Sequence, residues 1–227
     1  MLASMGVRRS LAVGAGARLA PKVASGFVRT VLDHAIDGIG PLHSAVATAD
    51  SKLVDAHGDV EKAIGALVRL HTGLAGAQGF LTNLGGIVTL AVTVPANVVG
   101  VTLVQCHLVA GIAHLRGYDL EDGRVRNAIL ACMLGAGAVD RLVSSHKLPS
   151  SPMALATSPV HDPLLDDVIS GEITAELITR TAGRRAVTLV GRRVPLVGGG
   201  VGAAADGWAT WQVGQYAADE LKDRRPR

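Results

Sequence analysis

The chain has 227 residues, a formal net charge of +3 and a mean hydropathy of +0.35, with 18% charged and 3% aromatic residues. Charge below the roughly 25% of ordinary soluble domains leaves apolar surface to be covered, and the few aromatics disfavour nucleic acid as a partner against an anionic membrane surface. The apolarity comes from Ala, Val, Leu and 28 Gly, small residues that let helix backbones approach closely, so an all-α fold with a small-residue interior is expected.

Residues 1–25 read as a basic N-terminal arm: Arg8, Arg9, Arg18, Lys22 and then Arg29 precede the first acid, Asp33. The apolar stretch at 11–17 is short and interrupted by glycine, with no cleavage site after it, so secretion is not expected. Residues 26–227 are read as one helical domain. The chain closes on Lys222, Arg224, Arg225 and Arg227. From Gly26 to Leu53 the apolar residues Phe27, Val28, Val31, Leu32, Ile36 and Ile39 predict a short amphipathic helix, followed by a turn at Gly40 and Pro41. His34, His43 and His57 share no spacing that aligns two on one helical turn and are read as surface residues. Gly58 and Asp59 open a stronger helix, with Val60, Ile64, Leu67, His71, Leu74 and Gln78 along one stripe. That stripe puts His71 on the inner face.

Residues 70–115 contain no Asp, Glu, Lys or Arg, a run of 46. Within it, Leu84 to Val94 is too short to cross a bilayer, whereas Ala96 to Leu115 has about the 20 residues a spanning helix needs. Pro95 divides the two, so the reading is a hydrophobic helical hairpin bent at Pro95, Ala96 and Asn97. Arg69 before it and Arg116, Arg124 and Arg126 after it place both ends on the cytoplasmic side if the hairpin enters a membrane. Gln105, His107 and His114 are polar residues at that depth and argue the other way. Two readings stand: insertion in lipid, or the central hairpin of a helical bundle.

A helix is expected over Asp122 to Val143, then a Pro/Ser-rich loop over 148–163, a helix over Leu164 to Arg180 and a last one over Gly202 to Lys222. Trp208, Trp211 and Tyr216 fall near one face, either as an interfacial anchor or as core. The glycine cluster from Gly198 to Ala203 mimics a dinucleotide fingerprint, but too little chain follows it to complete that unit, and no Lys-Ser or Lys-Thr makes it a phosphate loop. Cys106 and Cys132 lie in apolar runs and are read as buried free thiols. His161, Asp162, Asp166 and Asp167 are read as a solvated acidic loop. No metal and no cofactor is expected. One acid/base set is conceivable, His71, His114 and Asp119, if their two helices pair.

The run from His71 to Gly86, including Gly79, Phe80, Leu84, Gly85 and Gly86, is followed by Val94-Pro95-Ala96-Asn97 and by Val109 to Leu120, with His114, Leu115, Gly117 and Asp119. A later block holds Arg192-Arg193-Val194-Pro195-Leu196, Gly198 and Asp206. These blocks in this order closely resemble the core of the EcsC family, from about Asp59 to Leu221. The resemblance implies an all-helical bacterial protein without established catalytic activity, named for its place beside a transporter of the ATP-binding-cassette type. Support of transport or secretion is implied by that neighbourhood alone. The expectation is a non-enzymatic helical protein associated with membrane lipid on the cytoplasmic side. The alternatives are a soluble protein-interaction module, with a transporter as one candidate partner, and an enzyme with a His/His/Asp site.

Overall fold

The computed structural model describes residues 26–77, 96–191 and 195–222, and among these every regular element is a helix. Helix α1 covers 26–37 and packs Val28, Val31, Leu32, Ala35 and Ile36 inward at helical spacing. A tight turn closed by paired backbone bonds between Ile39 and Leu42 reverses the chain. Gly38 enters it at φ +89°, where a Cβ would meet the Leu42 carbonyl oxygen at 2.6 Å, so only glycine fits. The turn falls at Gly40 and Pro41, where the sequence places it, and a second helix follows it. Helix α2 (Ala45–Asp55) starts on Ser44, whose hydroxyl accepts from the Ala47 amide, and α3 (Val60–Gly76) starts on Asp59, whose carboxylate accepts from Lys62.

Helix α4 (Ala96–Leu115) is apolar all round, and a helix with that pattern is stable only when covered on every side. α2, α3, α5 and α9 supply the cover. From Val99 to Leu115 every residue except His114 is buried. From Val99 to Leu115 the neighbours of α4 are therefore protein, which favours the bundle reading for that arm of the hairpin. The other arm, with Leu84, Val94 and Pro95, lies outside the described residues. Gln105 and His107, the polar residues that weighed against lipid, find partners inside the bundle: Gln105 Nε2 donates to Thr210 Oγ1 at 3.2 Å, and His107 meets His71. Among the described residues no single helix is long and apolar enough to cross a membrane; one bent pair passes by length and composition, α5 with α6.

α4 ends at Gly117 (φ +84°), where the Tyr118 amide reaches back to the Ala113 carbonyl at 3.0 Å, the left-handed helix stop that glycine favours. Arg116 then clamps three elements, its guanidinium paired with both carboxylate oxygens of Glu61 and donating to the Ala218 carbonyl. Helix α5 (Gly123–Leu134) is capped by Asp122, and the helix expected over Asp122 to Val143 breaks at Gly135 (φ +79°), which turns α6 (Ala136–Ser144) by 111°. A short α7 (Pro152–Ala156) interrupts the expected loop, with Pro152 in its first turn. The last two helices are longer than their patterns suggested, α8 (Pro163–Gly191) and α9 (Pro195–Glu220).

The core is one cluster running from Val28 of α1 to Leu221 just beyond α9. Its tightest crossings are at glycine. On Gly111 a Cβ would meet Leu67 and Ala49, and on Gly214 it would lie 2.9 Å from Val68 and 3.0 Å from Leu108, where α3, α4 and α9 converge. Gly214→Leu is expected to destabilise the fold by about 1–3 kcal/mol through overpacking, read as a lower urea midpoint at unchanged slope.

Candidate functional site

Three places among the described residues carry the side-chain chemistry of interest. The first is internal. His71 on α3 and His107 on α4 are both essentially inaccessible, with ring centroids 4.9 Å apart. His71 Nδ1 lies 2.7 Å from the Leu67 carbonyl oxygen, His71 Nε2 lies 2.7 Å from His107 Nδ1, and His107 Nε2 lies 2.9 Å from the His43 carbonyl oxygen. Burial lowers the pKa of His71 to about 4, with His107 adding to the shift and the Leu67 carbonyl opposing it. Burial also lowers His107, against the pull of the His43 and Ser44 backbones. Groups depressed in this way leave the native state with fewer bound protons than the unfolded chain. Their effect is loss of stability as pH falls from the ordinary histidine value toward 4.

The second place is a cleft of about 480 Å³ lined by Ile36, Asp37, Ser44, Tyr118, Asp119 and His114, among others. His114 Nε2 lies 2.8 Å from Asp50 on α2. Asp119 accepts from the Glu121 amide at 3.0 Å and so shapes the turn after α4. The structure thus brings His114 and Asp119 to one cleft but places His71 elsewhere, against His107. His107, which does meet His71, precedes His114 by seven residues, about 10 Å along α4.

The third is an open groove of about 560 Å³ between α3 and α9, floored by Thr72, Gly73, Gly76, Ala203, Ala204 and Gly207. Small residues bring the two backbones together there: a Cβ on Gly207 would lie 3.3 Å from the Thr72 carbonyl oxygen. Trp208 and Trp211, one turn apart on α9, form its wall. Their rings stack with centroids 4.9 Å apart, yet they remain 59% and 39% exposed. Large aromatics contribute most when buried, so this stacked pair leaves an unusual amount of apolar ring at the surface.

Of the remaining residues singled out from the sequence, Leu115 is in the core, Gly117 ends α4, and Asp206 is buried on α9. Pro195 begins α9 and Gly198 lies in its first turns. Asn97 is in the first turn of α4. Gly79, Phe80, Gly85 and Gly86 lie outside the described residues. The expected acidic loop has a structural use instead: Asp166 accepts from Asn127 at 2.7 Å, pairs with Arg29 at 3.2 Å and lies 3.0 Å from His161, joining α1, α5 and α8. Among the described residues no group of three or more His, Cys, Asp or Glu is placed to hold a metal ion. Sequence reasoning missed His107 and Asp50 as partners. The one available signal was that His107 is an isolated polar residue in an apolar run.

An all-helical bundle built round a charge-free helix is the class of protein these features define. The chain belongs to the EcsC protein family, whose model matches residues 54–225. No curated protein and no solved structure matches it.

Both thiols are buried, and burial raises the pKa of each. Cys106 points its sulfur at Met133, 3.0 Å away. Cys106 and Cys132 are expected to stay unreactive toward a water-soluble aromatic disulfide in the native protein and to react fully in 8 M urea, as followed by thiolate release.

Proposed function

We propose that this protein is a non-enzymatic, membrane-associated helical protein that lies on the cytoplasmic face of a bacterial membrane and supports a transport or secretion system there. The observation that carries the reading is the exposed Trp208–Trp211 pair beside the groove between α3 and α9. Indole rings suit the boundary between hydrocarbon and headgroups, because the ring body is apolar and its N–H can stay wet. Charge in the sequence supports it: Arg180, Arg184, Arg185, Arg192 and Arg193 precede and adjoin the start of α9, with no acid between Glu176 and Asp206. Anionic lipid attracts such a stretch by about 1 kcal/mol for each arginine near the surface. The mode is surface attachment by one face of the bundle rather than insertion of α4, which protein already encloses.

The same face also fits a soluble module that binds a protein partner, a reading favoured by the burial of α4. Sedimentation with vesicles separates the two. The full chain is expected to co-sediment with vesicles containing phosphatidylglycerol, and the Trp208→Ala/Trp211→Ala variant is expected to lose about tenfold to thirtyfold in partition coefficient, the equivalent of about 1.4–2 kcal/mol of apolar burial. Recovery of the wild type wholly in the supernatant rejects the membrane reading. Equal binding by the variant moves the contact to another face.

A further inference from the structure

His71 and His107 form a line of three short contacts whose two ends are both carbonyl oxygens, those of Leu67 and His43. A carbonyl oxygen only accepts, so each end contact requires a proton on the imidazole nitrogen that faces it. The central contact, His71 Nε2 to His107 Nδ1 at 2.7 Å, has room for one proton, because two N–H groups aimed at each other across that gap collide. The line therefore holds at most three protons on its four nitrogens. Two neutral imidazoles bring two and leave one contact as lone pair against lone pair. Two imidazolium rings bring four, one more than fits. Neither ring is accessible, so water cannot take up the difference.

We propose that the His71–His107 pair is a proton-limited latch that ties α3 to α4 and to the turn before α2, and that acid opens. In the unfolded chain each histidine takes a full complement of protons below its ordinary value of about 6.5. The native pair refuses at least one of them, and acidification draws the equilibrium away from the closed junction.

Buried thiols flank the pair's surroundings, Cys106 on α4 and Cys132 on α5, and burial holds both protonated. His43 lies in the turn before α2; Asp50, Lys52 and Asp55 lie on α2; Glu61, Lys62 and Arg69 lie on α3. Glu61 is engaged by Arg116 at the end of α4, and Asp50 by His114. On α5, Arg124 pairs with Asp122 and Arg126 with Asp33. On α9 the ionisable residues are Asp206, which is buried, Tyr216, Asp219 and Glu220. The latch adjoins Thr72, whose carbonyl oxygen meets Gly207 under the groove, so its opening also loosens the wall on which the tryptophans stand.

The test uses the full chain labelled with 15N. Ring-nitrogen resonances of His71 and His107 in the folded protein at pH 7.5 and 5.5 report how many protons the pair holds. Urea unfolding over the same range is compared with the His71→Gln/His107→Gln double variant. The expected result is two or three protons on the native pair at both pH values. The folding equilibrium constant of the wild type is expected to fall, beyond any fall in the variant, by about tenfold per pH unit for each refused proton. Four protons on the folded pair at pH 5.5, or a double variant that retains the whole of the wild-type pH slope, overturns the latch. If the double variant does not fold, the proton count on the wild type decides alone.

Discussion

The structure depends on enclosing α4. Twenty residues without a formal charge need apolar cover on every side, and α2, α3, α5 and α9 are arranged to give it. A buried polar group without a partner costs about 1–3 kcal/mol, so each polar residue on α4 constrains a neighbour as well. Gln105 requires Thr210 on α9, His107 requires His71 on α3 and the carbonyl of His43, and His114 takes Asp50 on α2. Arg116 brings the start of α3 and the end of α9 to the end of α4. Apolar area holds the bundle together without direction, and these few polar contacts set the register of the helices around the central one.

Close approach follows from the same constraint. α3 and α9 meet at Gly207 and Gly214, where a side chain would strike the Thr72 carbonyl or the Val68 methyls. On the inner face of α9, Asp206, Thr210, Val213 and Ala217 are buried at steps of three and four. Trp208 and Trp211 fall on the other face because they interleave with that stripe. The small residues that allow the helices to touch also leave a shallow groove, since Gly73, Gly76, Ala203 and Ala204 have too little side chain to fill it. The exposed aromatic wall and the groove are thus one consequence of packing two helices through glycine.

Much of the fold is legible along the chain. The apolar stripe of α3 with Asp59 at its head, the 20-residue apolar span of α4 and the break at Gly40 and Pro41 are local patterns, set by helix periodicity, capping and backbone freedom. Boundaries were less legible. Gly135 splits what reads as one helix, because a glycine at positive φ and a glycine inside a helix look alike in sequence. α8 and α9 run past their apolar patterns, the first on to Gly191 and the second from as early as Pro195. Of the candidate site, His71 on an inner face was readable and its pairing with His107 was not.

Composition and order of residues by themselves determined an all-helical chain of the EcsC family with an uncharged central segment that needs an apolar environment. Whether that environment is lipid or protein is a question of what surrounds a helix, and hydropathy along one strand of sequence has the same value in either case. The tertiary structure decided it for α4, by wrapping four helices round it. It likewise decided that two histidines 36 residues apart share one buried contact while two tryptophans three residues apart stay in the open. Partnership across helices depends on their rotation and crossing, which the packing of the whole bundle sets.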